Sequence, residues 1–323
     1  MTIPSLDDAH PAIAGAAAQM LAALNGGFPA VQEMAAPEAR AIVASRVAPV
    51  ANLDDADAED VSIDGPGGPL RVRVYRPRTA TTGDRPGIVF CHGGGWVFCS
   101  IESHDGFCRW LALEAGAVVV SVDYRLAPEH PAPAAAEDAF AALRWAAEHA
   151  AELGVDAGRL LIAGDSAGGN LAAVVALMAR DADGPALAGQ VLIYPIIEPD
   201  FESQSYRDFA TGNFNTRAAM EWYWRQYVGG SDIPADAPYP PAWVAPLRAE
   251  SLAGLPPAIV VTAGRDPLCS EGLRYVAALR DAGVAVRHRH YSELFHGFLT
   301  IGPFAPAASA RDLLIADLER TFA

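Results

Sequence analysis

After Pro86 the chain settles into a rhythm that few folds can satisfy. Apolar runs rich in β-branched residues recur at 88–90, 117–122, 160–163, 191–194 and 259–262, and helical patterns separate most of them, at about 104–115, 133–153 and 167–180. A strand with one face in water alternates apolar and polar residues. These runs are apolar throughout, so both faces must be covered. The pattern predicts an α/β fold: a mostly parallel central sheet flanked by helices. With 323 residues, 51% of them hydrophobic, the chain can bury a core of that size.

Two segments stand outside the rhythm. The start, through about residue 50, reads as two alanine-rich helices separated by Asn25-Gly26-Gly27 and a proline, followed by short strands at 61–64 and 70–75 joined by GPGG as a hairpin. Between 194 and 259 lies a connection far longer than such folds need, with the aromatic helical stretch MEWYWRQY and the proline-rich PADAPYPPAW. A long insertion at the end of a parallel strand commonly carries a lid or specificity element.

Composition closes off several classes of function. A formal net charge of −16 with no basic run repels phosphate backbones and disfavours nucleic acid. There is no lysine; all 23 basic side chains are arginine. Arginine forms no Schiff base, which excludes pyridoxal-phosphate chemistry, a P-loop lysine and a Ser–Lys dyad. Cys91, Cys99, Cys108 and Cys269 show neither a CxxC pair nor zinc spacing and read as reduced thiols. Asp7 and Asp8 stand where a signal peptide needs positive charge, and the apolar stretch 12–24 is too short to span a bilayer. The expectation is a cytoplasmic protein without membrane insertion.

Three constellations carry chemistry. Gly164-Asp165-Ser166-Ala167-Gly168 fits G-x-S-x-G at a strand–helix joint, where the turn strains the serine backbone and exposes its hydroxyl beside a helix N-terminus. Directly after the 88–90 strand comes Cys91-His92-Gly93-Gly94-Gly95-Trp96. Consecutive glycines let the backbone approach a substrate and turn N–H groups toward an oxyanion. A phosphate nest is the weaker reading, because no lysine follows and the spacing is not GxGxxG. The third constellation is a base with an orienting acid: His296 in LFHGF, past a last strand pattern near 284–290, and Asp266 in VVTAGRDPL, past the 259–262 strand. Glu271 and Glu293 are rival acids, though neither leaves its strand end as Asp266 does.

The remaining histidines read as ordinary. His288 and His290 share a strand face, and H-x-H can bind a metal, but no third ligand lies nearby and arginines flank both. No metal or cofactor is expected. His10, His104, His130 and His149 have no constellation around them. Trp222, Tyr223 and Trp224 read as packing within the insertion, one of them able to touch substrate.

Together these residues resemble the bacterial hormone-sensitive-lipase-type (family IV) carboxylesterases. The matching pieces are HGGGW, DYRLAPEHPAPAAAEDA, GDSAGGNLA, YP, GRDPL and FHGF, in family order. The resemblance implies an α/β-hydrolase fold with a helical cap, formed by 1–50 and by a second segment at 198–240, on a catalytic domain at 51–323. It implies Ser166 as nucleophile, His296 as general base and acid, and Asp266 as the group orienting His296. Gly93, Gly94 and Ala167 would supply the oxyanion N–H groups, with His92 and Gly95 supporting the loop. The implied activity is hydrolysis of short- to medium-chain acyl esters, small-molecule substrates, through an acyl-enzyme; a homodimer is left open.

Two alternatives accompany that reading. The same triad serves amidases and lactonases. Plant gibberellin receptors share the fold and glycine loop as non-catalytic binders, but have lost the histidine that stands here in FHGF. One departure is visible: many relatives continue the acid motif as DPLRDEG, whereas this chain has Asp266-Pro267-Leu268-Cys269-Ser270-Glu271-Gly272. That leaves the acid in place and puts the support of its loop in question.

Overall fold

An eight-stranded sheet organises the computed structural model, which describes residues 11–79, 83–230, 232–302 and 304–322, with side chains from residue 14. Asp7, Asp8 and His10 lie outside the described residues. The strands are β1 Ala56–Gly65, β2 Gly68–Pro77, β3 Arg85–Cys91, β4 Val118–Val122, β5 Val155–Asp165, β6 Gly189–Ile193, β7 Ala258–Arg265 and β8 Val286–Phe295. Their order is β1-β2-β4-β3-β5-β6-β7-β8. Strands β3 to β8 run parallel, while β2 is antiparallel to both β1 and β4. The neighbours β4 and β5 lie on opposite sides of β3, so the connections diverge there and open a crevice at the C-terminal ends of β3 and β5.

The uniformly apolar strands feed two cores. Val89, Ile162, Leu192 and Val260 face one. Phe90, Leu161, Val191, Ile193 and Val261 face the other. Helices Ala134–Glu148, Ala167–Asp181 and Cys269–Asp281 cover the first face; Ile101–Glu114 and Pro306–Phe322 cover the second. The first helix, Pro11–Gly27, packs against β8 and adds Ala17 and Leu21 to the second core. Among the described residues, no helix is long and apolar enough to cross a membrane.

The structure extends the expected elements where charge conceals a strand. The hairpin strands are longer than 61–64 and 70–75, because the acidic stretch of β1 pairs with the arginines of β2. Asp60 bonds Arg71 and Arg73, and Glu59 bonds Arg76. Opposite charges on an antiparallel pair stabilise a segment whose sequence looks like a loop. The helix expected over 133–153 breaks at His149 into Ala134–Glu148 and Ala150–Leu153. Tyr194 also leaves β6, with a left-handed φ of 34° that takes the chain off the sheet.

The connection from β6 to β7 contains the aromatic helix Arg217–Val228. Trp96, from the glycine loop, stacks on its Tyr227 at 4.2 Å and meets Trp224 edge-on at 5.0 Å. Asn25 fastens the N-terminal segment to the same connection: its amide donates to the Gly212 carbonyl and accepts the Phe214 N–H, at 2.8 and 2.9 Å.

Candidate active site

Strand β5 ends at Asp165 and the next helix begins at Ala167, so Ser166 alone makes the corner. Its φ of 56° and ψ of −118° lie where side chains are strained, typically by about 1–3 kcal/mol. Backbone bonds to β6, to the chain leaving it and to the following helix hold it there. Its N–H donates to Ile193 O at 2.9 Å, and its carbonyl accepts from Asn170 at 3.0 Å and Ile196 at 3.2 Å. The corner is packed so closely that a Cβ on Gly168 would overlap the Cys91 carbonyl.

His296 and Asp266 arrive from strand ends on the same sheet edge. Asp266 follows β7, His296 follows β8, and the imidazole bridges the other two side chains. His296 Nε2 lies 2.9 Å from Ser166 Oγ, and Nδ1 lies 2.7 Å from Asp266 Oδ2. The other carboxylate oxygen of Asp266 accepts the Leu268 N–H at 3.0 Å, which fixes the rotamer. Tyr194 packs its ring 4.8 Å from the imidazole.

The rival acids sit elsewhere. Glu271 is fully buried, but its Oε1 accepts the Ile197 N–H at 2.7 Å, so it holds the chain leaving β6. Burial keeps its carboxyl well above the ordinary range. Glu293 lies within β8, before the turn that presents His296. The departure at Ser270 acquires a purpose here. Ser270 Oγ accepts the Ser205 N–H at 3.1 Å, and Ser205 Oγ accepts the Ser270 N–H at 3.0 Å, tying the acid loop to the β6–β7 connection.

The glycine loop corrects one expectation. The Gly93 N–H donates to Asp165 Oδ1 at 2.9 Å, so it is committed and does not face a substrate. The N–H groups of Gly94 and Gly95 make no such bond among the described residues, and that of Ala167, first in its helix, has no intrahelical acceptor. Gly94 and Gly95 take φ values of 112° and 59°, and a Cβ on either would collide with Phe98 O or the Tyr223 ring. His92 supports the loop: Nδ1 lies 2.7 Å from Gly93 O, and the ring stacks on Tyr124 at 4.2 Å. Burial pushes the His92 pKa down to about 3, so it stays neutral.

Ser166, His296 and the glycines at 93–95 line a cavity of about 330 Å³. Its walls come from both irregular segments: Phe28 and Val31 from the N-terminal one, Phe214, Met220 and Tyr223 from the β6–β7 connection. Of the three adjacent aromatics, Tyr223 reaches the cavity, while Trp224 packs on Trp96. His288 Nε2 and His290 Nδ1 both contact Thr262 Oγ1, at 2.8 and 2.9 Å. Among the described residues, no group of three or more His, Cys, Asp or Glu side chains could hold a metal ion.

His104 has no constellation in the sequence, yet its Nε2 lies 3.1 Å from the buried Asp165 carboxylate beside Ser166. The two are 61 positions apart in the chain, and only the packing of helix Ile101–Glu114 over the sheet brings them together.

Known proteins share this fold. Residues 88–300 match the family described as alpha/beta hydrolase fold. The chain is 46% identical to esterase LipI of Mycobacterium tuberculosis over 251 residues, covering 77% of each. It is 35% identical to an ethyl acetate hydrolase of Pseudomonas putida over 256 residues, again 77% of each. A thermostable esterase from Pseudomonas putida, known from its crystal structure, superposes with a TM-score of 0.83 at 35% identity, covering 100% of this chain and 97% of that one.

Proposed function

This chain belongs to the α/β-hydrolase fold family, among the hormone-sensitive-lipase-type (family IV) carboxylesterases, and from that premise we propose that it hydrolyses short- to medium-chain carboxylic esters through an acyl-enzyme on Ser166. The observation that carries the proposal is the chain of contacts from Ser166 Oγ through His296 to Asp266, at 2.9 and 2.7 Å.

In this reading Ser166 Oγ attacks the acyl carbon as His296 Nε2 accepts its proton. The carbonyl oxygen becomes an oxyanion, met by the N–H groups of Gly94, Gly95 and Ala167, where preorganised donors contribute most. Collapse expels the alcohol, which takes the proton from His296. Water then attacks the ester formed on Ser166, His296 acting again as base, and the carboxylic acid leaves. Asp266 holds the imidazole in the tautomer that keeps Nε2 free to accept.

The two irregular segments that wall the cavity act as a two-part cap. The cavity size and its aromatic lining support small esters, as does the ethyl acetate named for one relative. Every step is complete with these side chains and water. The test is Ser166→Ala, which should abolish turnover of p-nitrophenyl acetate while the thermal unfolding transition remains. A fluorophosphonate should label the unsubstituted protein at Ser166; labelling elsewhere refutes the assignment.

A further inference from the structure

Asp165 is the residue most tightly built into this site without a part in the steps above. It is buried, directly precedes Ser166, and gathers the other loops around its carboxylate. Oδ1 accepts the Gly93 N–H at 2.9 Å and meets His104 Nε2 at 3.1 Å. Oδ2 lies 3.4 Å from Thr300 Oγ1, whose hydroxyl meets Tyr194 OH at 2.9 Å. A Cβ on Gly93 would crowd Oδ2, so this position in the loop has to be glycine for the carboxylate to come so close.

We propose that His104 and Asp165 form a positioning pair, in which the imidazole N–H aims the carboxylate and the carboxylate fixes the glycine loop opposite Ser166. The proposal rests on the esterase reading and adds two residues to it. The two halves of the oxyanion hole come from different strands: Gly94 and Gly95 follow β3, and Ala167 follows β5. The parallel pairing of β3 with β5 sets their spacing as far as Cys91 and Gly164. Beyond that pair the Gly93–Asp165 bond carries the register into the glycine loop, one residue before the first donor and two before the other half.

A carboxylate so placed needs a donor besides the Gly93 amide. Burial is the largest single influence and raises the carboxyl pKa, but His104, with smaller help from His296 and His92, brings it down by more in total, so Asp165 stays below the ordinary range and ionised. His104 is itself anchored, with Nδ1 2.9 Å from Ser103 Oγ in the first turn of its helix. Without the imidazole, the carboxylate is free to turn from Gly93, and the glycine loop loses its register with Ser166.

The experiment compares His104→Gln, whose amide can still donate to Asp165, with His104→Phe, which fills the space without a donor. His104→Phe should lower kcat for p-nitrophenyl acetate by about 10- to 100-fold with KM nearly unchanged, since the donors act on the transition state. His104→Gln should recover most of the loss. Asp165→Ala, which removes the acceptor, gives a reading independent of the Phe variant: kcat should fall and hydrogen exchange at the Gly93 amide should quicken. Wild-type kcat in His104→Phe, equal losses in both His104 variants, or unchanged Gly93 exchange in Asp165→Ala would each overturn the proposal. Fluorophosphonate labelling of Ser166 in the unsubstituted protein keeps the two readings apart. If labelling fails, the esterase reading falls; if it succeeds while His104→Phe turns over normally, only the pair falls.

Discussion

Replacing Phe214 by alanine should move the chain-length optimum outward. Phe214 holds a left-handed φ of 68°, is clasped by Asn25, and meets Phe28 edge-on at 5.0 Å. Phe28 in turn packs on Phe98 at 6.0 Å, which meets Tyr223 at 5.5 Å, so the cavity has a continuous aromatic wall. Inside such a wall each added methylene gains about 0.8 kcal/mol, or about fourfold in kcat/KM, until the chain reaches the rings. From acetate to hexanoate that is four methylenes, on the order of 200-fold, followed by a fall. Removing the Phe214 ring should make room for about two to four more carbons, raising kcat/KM for the longest accommodated ester by on the order of 10- to 200-fold. The assay uses p-nitrophenyl esters of increasing acyl length and acetates of increasing alcohol length. Identical profiles for wild type and Phe214→Ala in both series, or a wild-type maximum at palmitate, would refute the wall.

Asp266→Asn should lower kcat by about 10⁴-fold by favouring the wrong imidazole tautomer, whereas Glu271→Gln, which keeps the bond to Ile197, should retain most activity. Steady-state kinetics on the pair decides which acid orients His296. Because burial holds the Glu271 carboxyl well above the ordinary range, the folded chain keeps a proton that the unfolded chain loses above about pH 4.3. Stability contributed there declines as pH rises, by up to about 1.4 kcal/mol per unit, and Glu271→Gln should flatten that part of the Tm–pH curve. Dialysis against EDTA should leave turnover of p-nitrophenyl acetate unchanged; loss restored by zinc or calcium would revive His288 and His290 as a metal site.

The elements legible in the sequence were those whose signal is local. Apolar runs such as 160–163 and 259–262 announce buried strands, and the G-x-S-x-G joint announces its own geometry, because each depends on neighbours within a few residues. Asp266 and His296 could be picked out because each leaves a readable strand. What escaped depends on distant partners. The acidic half of β1 becomes a strand only through the arginines of β2. Gly93 resembles its neighbours in the glycine run until Asp165, 72 positions away, takes its N–H. His104 acquires a role by the same kind of contact, across the sheet from a helix whose sequence shows only an amphipathic pattern.

The seat of the first helix has a consequence for the order of events during synthesis. Pro11–Gly27 is made well before the surface it docks on, which is β8 and the helix Pro306–Phe322. At about 5–20 residues per second, its apolar face waits on the order of tens of seconds for that surface to emerge. The central strands can pair meanwhile, but the N-terminal wall of the cavity closes only once β8 has emerged. A nascent chain stalled before β8 would therefore present Ala17 and Leu21 to the cell with no surface to bury them, the kind of exposure that chaperones recognise.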